Sequence, residues 1–131
     1  MKMIVVSSVI ALGLLVGGIP VLAHHSANAE FDTQKVITIS GVLTKFENVN
    51  PHGWWSVDVK EADGKVTHWR LETPGLGGLI NQGLKVKTDL KVGETYAIKL
   101  SPGWKDPADG MKIGIVRTIV VNGKEYRLFD I

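Results

Sequence analysis

From Val36 onward, apolar and polar residues alternate in short runs that end at glycine, proline or asparagine. Alternation with a period of two is typical of β-strands with one buried face, and this region keeps no long helical period. The alternating segments predict six strands, over residues 36–48, 54–61, 65–73, 95–100, 112–121 and 125–129. We therefore expect a small, mostly β domain.

The second and third predicted strands separate an apolar face from a polar one. The apolar face consists of Trp55, Val57, Val59, Trp69 and Leu71. The polar face includes Trp54, Ser56, Asp58, His68, Arg70 and Glu72. Because successive side chains of a strand point to opposite sides, Trp55 and Trp69 are expected in the core.

One short helix is expected after the third strand. Thr73 and Pro74 fit a threonine cap with proline in the first turn, and apolar residues then recur at helical spacing up to Gly83. The glycines at 75, 77 and 78 weaken this prediction, because glycine disfavours a helix interior. Residues 101–110 are rich in turn formers and predict an exposed loop.

This order of elements predicts the fold class. Three strands, a helix and two more strands are the chain order of an OB-fold, a five-stranded Greek-key barrel. Gly41 predicts a bulge or bend in the first strand, which has to take part in both halves of such a barrel. We expect an all-β, OB-fold-like Greek-key barrel, with a small sandwich of different connectivity as the alternative.

The amino terminus has the three parts of a secretory signal. Lys2 is followed by an apolar run from Ile4 to Ile19 and a short cleavage region that ends at Ala23. The run is shorter than the roughly 20 residues that span a bilayer, which disfavours a membrane anchor. A second possible cleavage site follows Ala29. The expected organisation is a signal peptide at 1–23, an N-terminal arm at 24–35 and the barrel at 36–131, in a periplasmic or secreted protein.

Charge and cysteine content exclude several function classes. Because Lys2 lies in the signal, 14 of the 15 basic residues remain against 13 acidic ones. This balance favours neither nucleic acid nor an anionic membrane as a partner. The chain has no cysteine, which excludes disulfides, thiolate zinc sites and thiol catalysis. No nucleophile-elbow motif is present, so an enzyme is the less favoured interpretation.

Two adjacent histidines, His24 and His25, directly follow the expected cleavage site. After cleavage behind Ala23, the α-amine and Nδ1 of His24 can chelate one metal ion. His52 is the best third ligand, since the first inter-strand loop of an OB barrel lies at one end of the barrel. A nitrogen-only ligand set favours Cu(II). His25 is an alternative ligand, and the simpler interpretation is that both terminal histidines belong to a solvated arm.

Further side chains are candidates for a supporting or binding role. Glu72 could accept the ring N–H of a ligand histidine or pair with a nearby cation. His68 shares the polar face and is typical of a solvated strand residue. Trp54 and Trp104 lie on no apolar face, which suits ligand binding on the barrel, although Trp104 could also cover the barrel end as a plug.

Several local strings together resemble a family of small exported bacterial proteins known only as a domain of unknown function, DUF6152. These strings are residues 24–26, 30–32, 41–45, 50–52, 63–66 and 90–94. The resemblance implies a signal peptide, a mature start near the paired histidines and a β-rich domain, but no activity. The positions that it singles out are His24, His25, Asn50, Pro51, His52 and Glu72. Ala27 and Asn28 depart from the family pattern, in which a larger apolar residue is usual.

The sequence thus predicts an exported, non-enzymatic binding protein that binds Cu(II) through His24, His25 and His52. The alternative is a metal-independent accessory domain that binds a protein partner or a small ligand on the barrel face. A copper enzyme that activates oxygen is a third interpretation, for which the sequence indicates no substrate.

Overall fold

The computed structural model describes residues 27–131, so the predicted signal peptide and the histidines at 24 and 25 lie outside the described residues. A helical turn over residues 27–30 precedes the barrel. The elements are β1 (Ile37–Glu47), β2 (His52–Lys60), β3 (Val66–Pro74), α1 (Leu76–Asn81), α2 (Val86–Asp89), β4 (Thr95–Pro102), β5 (Lys112–Val121) and β6 (Lys124–Arg127). Within residues 27–131, no helix has the length and apolar character needed to cross a membrane.

The strands form a closed barrel. Their order is β3-β2-β1-β4-β5-β6 with antiparallel neighbours, and β3 also pairs in parallel with β5. This last pairing closes the first five strands into a ring, while β6 extends the sheet from β5. Both short helices lie between β3 and β4 in the chain. The OB-fold prediction is therefore confirmed over the sandwich alternative.

Strand β1 belongs to both halves of the barrel. Its first half pairs with β4 and its second half with β2, and the exchange occurs at Val42. Gly41 is buried at this point, where an added Cβ would lie 2.5 Å from Val57 Cγ1. The irregularity in the pairing with β2 falls between Leu43 and Lys45 instead. The glycine thus permits a close approach of β2, and the bulge is a separate feature beside it.

Most buried apolar side chains form one cluster inside the barrel, which contains Trp55 and Trp69 as predicted. Phe31 and Ile115 are also buried, with 1% and 3% of their surface exposed, but they lie outside this cluster. Phe31 forms a β-bridge with Gly103, beyond the end of β4. The segment that precedes β1 is therefore packed against the outer surface of the barrel.

The predicted threonine cap of the helix is wrong. Strand pairing continues through Thr73 and Pro74, which lie opposite Gly53 and His52 in β2. The Thr73 hydroxyl donates to the Pro74 carbonyl at 3.0 Å, and Gly75 stands at the N-cap position of α1. Pairing with β2 gives the backbone N–H and C=O groups of this segment hydrogen-bond partners, which one short helical turn would provide less completely.

Several predicted boundaries also shift. Strand β2 begins at His52 rather than at Trp54, so His52 belongs to the strand and not to the preceding loop. Strand β4 continues to Pro102, so the following loop begins later than expected. Ser101, within this extension, is buried and accepts a hydrogen bond from Arg117 Nε at 3.0 Å. Strand β6 ends at Arg127 rather than at Phe129. The residues after β6 leave the sheet and turn towards β2.

Candidate functional site

The outward sides of β2 and β3 form one continuous surface. In their antiparallel register, Trp54 lies opposite Glu72 and Asp58 lies opposite His68. We call this surface the polar face; its members are His52, Trp54, Ser56, Asp58, His68, Arg70 and Glu72. The polar face therefore contains both histidines of the described chain and several of the predicted binding residues.

A histidine and a glutamate are paired at one end of the polar face. His52 Nδ1 contacts Glu72 Oε1, with the side chains 46% and 10% exposed. Phe129, in the segment after β6, packs edge-on against the imidazole with the ring centroids 5.7 Å apart. Among residues 27–131, no hydrogen-bond partner reaches His52 Nε2. The imidazole is thus held through one nitrogen and available through the other.

Glu72 is buried, although the sequence places it on a polar face. Burial raises the pKa of its carboxyl above the ordinary value, the adjacent His52 lowers this pKa, and the negative charge of Glu30 raises it further. Glu30 belongs to the segment before β1, so that segment lies within electrostatic reach of the pair. Strand alternation alone does not indicate this burial or the proximity of Glu30.

We call residues 27–35, the described part of the predicted N-terminal arm, the arm, and hydrogen bonds fasten it to the barrel. The Asp32 N–H donates to the Pro102 carbonyl at 2.8 Å, and the Trp104 N–H donates to the Glu30 carbonyl at 3.1 Å. Arg117 Nη2 donates to the Thr33 carbonyl at 2.9 Å and also to the backbone oxygen of Ile131. One guanidinium therefore joins the arm, the barrel and the C-terminal segment.

Trp54 and Trp104 line a groove of about 510 Å³ beside the arm. The Arg70 guanidinium carbon lies 4.3 Å from the centroid of the Trp54 ring. Trp104 is 57% exposed, and its indole N–H donates to the Asn28 carbonyl at 2.8 Å. The interpretation of Trp104 as a plug over the barrel end is therefore wrong. Its indole ring is held in place by this hydrogen bond and is exposed to solvent.

The other histidine of the polar face has a similar partner in different surroundings. His68 Nδ1 lies 2.6 Å from Asp58 Oδ1, and the two side chains are 62% and 35% exposed. Within the described chain, no aromatic ring packs on His68. This exposed pair matches the expectation of a solvated strand residue.

The predicted Asn-Pro-His turn leads directly into β2. Asn50 is exposed, and the peptide bond between Asn50 and Pro51 is cis. The Gly75 N–H donates to the Pro51 carbonyl at 3.0 Å, and a Cβ at Gly75 would lie only 2.9 Å from the same Pro51 backbone oxygen. A glycine is therefore required where α1 begins, because the turn before His52 packs against it.

The described residues do not form a complete metal site. Over residues 27–131, no group of three histidine, aspartate or glutamate side chains could hold a metal ion. His52 is therefore a single candidate ligand, supported by Glu72. The candidates His24 and His25 lie outside the described residues.

Comparison with known sequences identifies the family. A profile described as a family of unknown function, DUF6152, matches residues 11–115, which include the paired histidines, the Asn-Pro-His turn and Glu72. The chain belongs to this family. No curated protein shows significant similarity to it.

Solved structures similar to this DUF6152 protein include two of the mitochondrial single-stranded DNA binding protein Rim1 from S. cerevisiae. One is 10% identical with a TM-score of 0.41 and covers 74% of this chain and 98% of that chain. The other is 8% identical with a TM-score of 0.44, covering 73% and 97%. Similarity at this level does not extend to a shared ligand.

Three contacts of the DUF6152 site were not anticipated from the sequence: those of Glu30, Phe129 and Asp58. The last could have been found, since the turn at Asp63-Gly64 fixes a register that places Asp58 opposite His68. The first two come from segments outside β2 and β3. Nothing in strand periodicity indicates where such segments pack.

Proposed function

We propose that the protein is an exported, periplasmic or secreted protein that binds Cu(II) through the amine and imidazole of His24 and through His52. The observation that supports this most directly is the contact between His52 Nδ1 and the largely buried carboxylate of Glu72. Histidines that bind metals usually donate their second ring N–H to such an acceptor, which fixes the ring and its tautomer.

The proposal requires the residues before the arm to bring His24 to His52. Glu30 lines a groove together with Trp54, which lies opposite Glu72 in the strand register. The helical turn between Ala27 and Glu30 rises about 1.5 Å per residue. Three further residues lead back to His24, and an extended chain of that length spans about 10 Å.

The ligand chemistry favours copper. An N-terminal amine and two imidazoles supply three nitrogen donors, and the chain offers no thiolate to compete for a softer ion. The α-amine can lose its proton to a metal ion near neutral pH, because its reference pKa is about 7.7. His25 offers an alternative mode, through the amine, the intervening amide nitrogen and its own ring.

The first test changes only the N-terminus. The mature chain that begins at His24 is compared with the same chain acetylated on its N-terminal amine, and both are titrated with Cu(II) by EPR and calorimetry. We expect acetylation to weaken binding by about a hundredfold, since it removes the amine nitrogen as a donor and leaves every histidine in its position. Equal affinities and equal spectra would overturn the N-terminal chelate.

The second test uses the two histidines of the polar face as a matched pair. His52→Ala should weaken Cu(II) binding and change the number of nitrogens coupled to copper in the EPR spectrum, whereas His68→Ala should leave both unchanged. A His25→Ala variant distinguishes the two modes of the N-terminal chelate. Mass spectrometry of the exported protein then determines whether cleavage follows Ala23 or Ala29; cleavage after Ala29 would remove the site.

A second candidate function is supported by the groove between Trp54 and Trp104. The barrel face there has a fixed aromatic surface and two neighbouring cations, Arg70 and Lys105. Such a surface suits a small ligand or a protein partner and requires no metal. Trp104→Ala should then abolish binding at this surface without changing Cu(II) affinity.

Nucleic acid is not the partner that we propose. After removal of the signal, basic and acidic side chains are almost equal in number, which gives little of the positive field that attracts a phosphate backbone. We expect no binding of a fluorescent oligodeoxythymidylate in an anisotropy titration at physiological salt. Micromolar, salt-dependent binding would contradict this.

A further inference from the structure

The groove beside the arm combines aromatic surface with positive charge. One wall is formed by arm residues, another by Trp54 and Arg70 of the polar face, and a third by Trp104 and Lys105 of the loop after β4. Because the Trp104 indole N–H is bonded to the Asn28 carbonyl, its exposed ring is held in one orientation. An orientation fixed before binding lowers the entropic cost of stacking a ligand on this ring.

The charges that line the groove favour an anion. Arg70 and Lys105 are cationic, whereas Glu30 is the one acidic residue of the lining. Within residues 27–131, neither cation is within ion-pair distance of a carboxylate. Glu47, which also feels the charge of Arg70, is paired with Lys45 at 2.8 Å. The guanidinium is therefore free to form a charge-assisted hydrogen bond with a ligand.

We infer that this groove binds a small planar aromatic carboxylate, whose ring stacks on Trp104 and whose anionic group meets Arg70 and Lys105. The inference rests on the second function proposed above, binding at the barrel face, and is independent of copper. A planar ring fits the flat indole surface, and the carboxylate complements the excess of positive charge. The volume of about 510 Å³ is sufficient for a fused two-ring acid.

The test is an NMR titration of the metal-free mature chain with naphthoate, followed through the tryptophan indole N–H signals. The signals of Trp54 and Trp104 should shift. Those of Trp55 and Trp69, which are 1% and 6% exposed, should not, and they serve as internal controls. Naphthamide has the same ring without the charge and should bind about tenfold more weakly. Cyclohexanecarboxylate has the charge without the planar ring and should also lose about tenfold.

Two substitutions test the assignment of the cation. Arg70→Gln should weaken naphthoate binding by about tenfold. Arg127→Gln makes the same chemical change on β6, where the side chain is 71% exposed and remote from the groove, and should have no effect. Trp104→Ala, at an exposed position, should remove the shift at Trp54.

The outcomes separate the inference from the function on which it rests. Equal affinity for naphthoate and naphthamide would overturn the anionic ligand class while leaving binding at the barrel face intact. Absence of any shift at Trp54 and Trp104 at millimolar naphthoate would overturn both. Neither result bears on copper, because the copper titrations depend on other residues.

Discussion

The two histidine–carboxylate pairs of the polar face are built from the same parts in different surroundings. In one pair, His52 of β2 contacts Glu72 of β3, and in the other, Asp58 of β2 contacts His68 of β3. The Glu72 side chain is 10% exposed and feels the charge of Glu30 in the arm, and Phe129 packs on its partner His52, whereas the Asp58 side chain is 35% exposed. The strands alone would make the two pairs equivalent. The segments that pack against them make the pairs different.

The surroundings determine what each pair can do. An exposed ion pair is screened by water and contributes about 0–1 kcal/mol. A carboxylate that is largely buried depends on its partner, because losing that partner leaves an unsatisfied polar group. Only the pair with His52 lies near a segment that leads back towards His24. We therefore expect substitutions at this pair to affect both stability and copper binding, and substitutions at the exposed pair to affect neither.

Removing the arm's anchor should have the largest effect. Phe31 is buried on the outside of the barrel, so Phe31→Ala should lower the free energy of unfolding by about 3 kcal/mol. Val66, an apolar residue near the exposed pair, is 48% exposed, and Val66→Ala should cost less than about 0.5 kcal/mol. Urea unfolding measures both values. A similar loss in the two variants would mean that the arm does not stabilise the barrel face.

Neutralising the carboxylate of each pair should give the next largest difference between the two pairs, measured as Cu(II) affinity. Glu72→Gln keeps the shape of the side chain but weakens its hold on the His52 N–H, so Cu(II) affinity should fall about 10- to 100-fold. Asp58→Asn makes the corresponding change at the exposed pair and should leave the affinity unchanged. Competition titrations with a chelator of known affinity measure both. A loss of affinity in Asp58→Asn but not in Glu72→Gln would reverse the assignment of the site.

Most of the fold could be predicted from the sequence, because strand alternation and turn residues are local signals. The register of β2 and β3 follows from the turn at Asp63-Gly64, and the predicted bounds of β5 coincide with those observed. The error at Thr73-Pro74 has a nonlocal cause. The sequence contains a plausible helix cap there, but pairing with β2 extends β3 past it, and the strand pairing prevails.

The candidate site was only partly predictable for the same reason. His52, Glu72 and Trp54 could be identified from motif and face, and the structure brings them together on one surface. The burial of Glu72 could not, because strand alternation assigns its side chain to the polar face. The contacts of Glu30 and Phe129 could not be predicted either, because the segments before β1 and after β6 carry no periodic pattern.

Double-mutant cycles should quantify the difference between the pairs. For His52→Ala and Glu72→Ala, the coupling free energy should be about 1–2 kcal/mol, since each single change leaves a partly buried polar group without its partner. For His68→Ala and Asp58→Ala, the coupling should stay below about 0.5 kcal/mol. Thermal or urea unfolding of the four variants in each cycle provides both numbers. Equal couplings would show that burial does not distinguish the pairs.

The smallest effect is expected at Phe129, which packs edge-on against His52 with the ring centroids 5.7 Å apart. Phe129→Leu keeps apolar bulk but removes the aromatic edge, at a cost of about 0.5 kcal/mol. Because the ring of His52 then loses one of its two orienting contacts while keeping Glu72, Cu(II) affinity should fall by less than about tenfold. Tyr126→Leu, on β6, should leave copper binding unchanged. If Phe129→Leu also leaves it unchanged, Glu72 alone orients the imidazole, and the difference between the two pairs reduces to burial of the carboxylate.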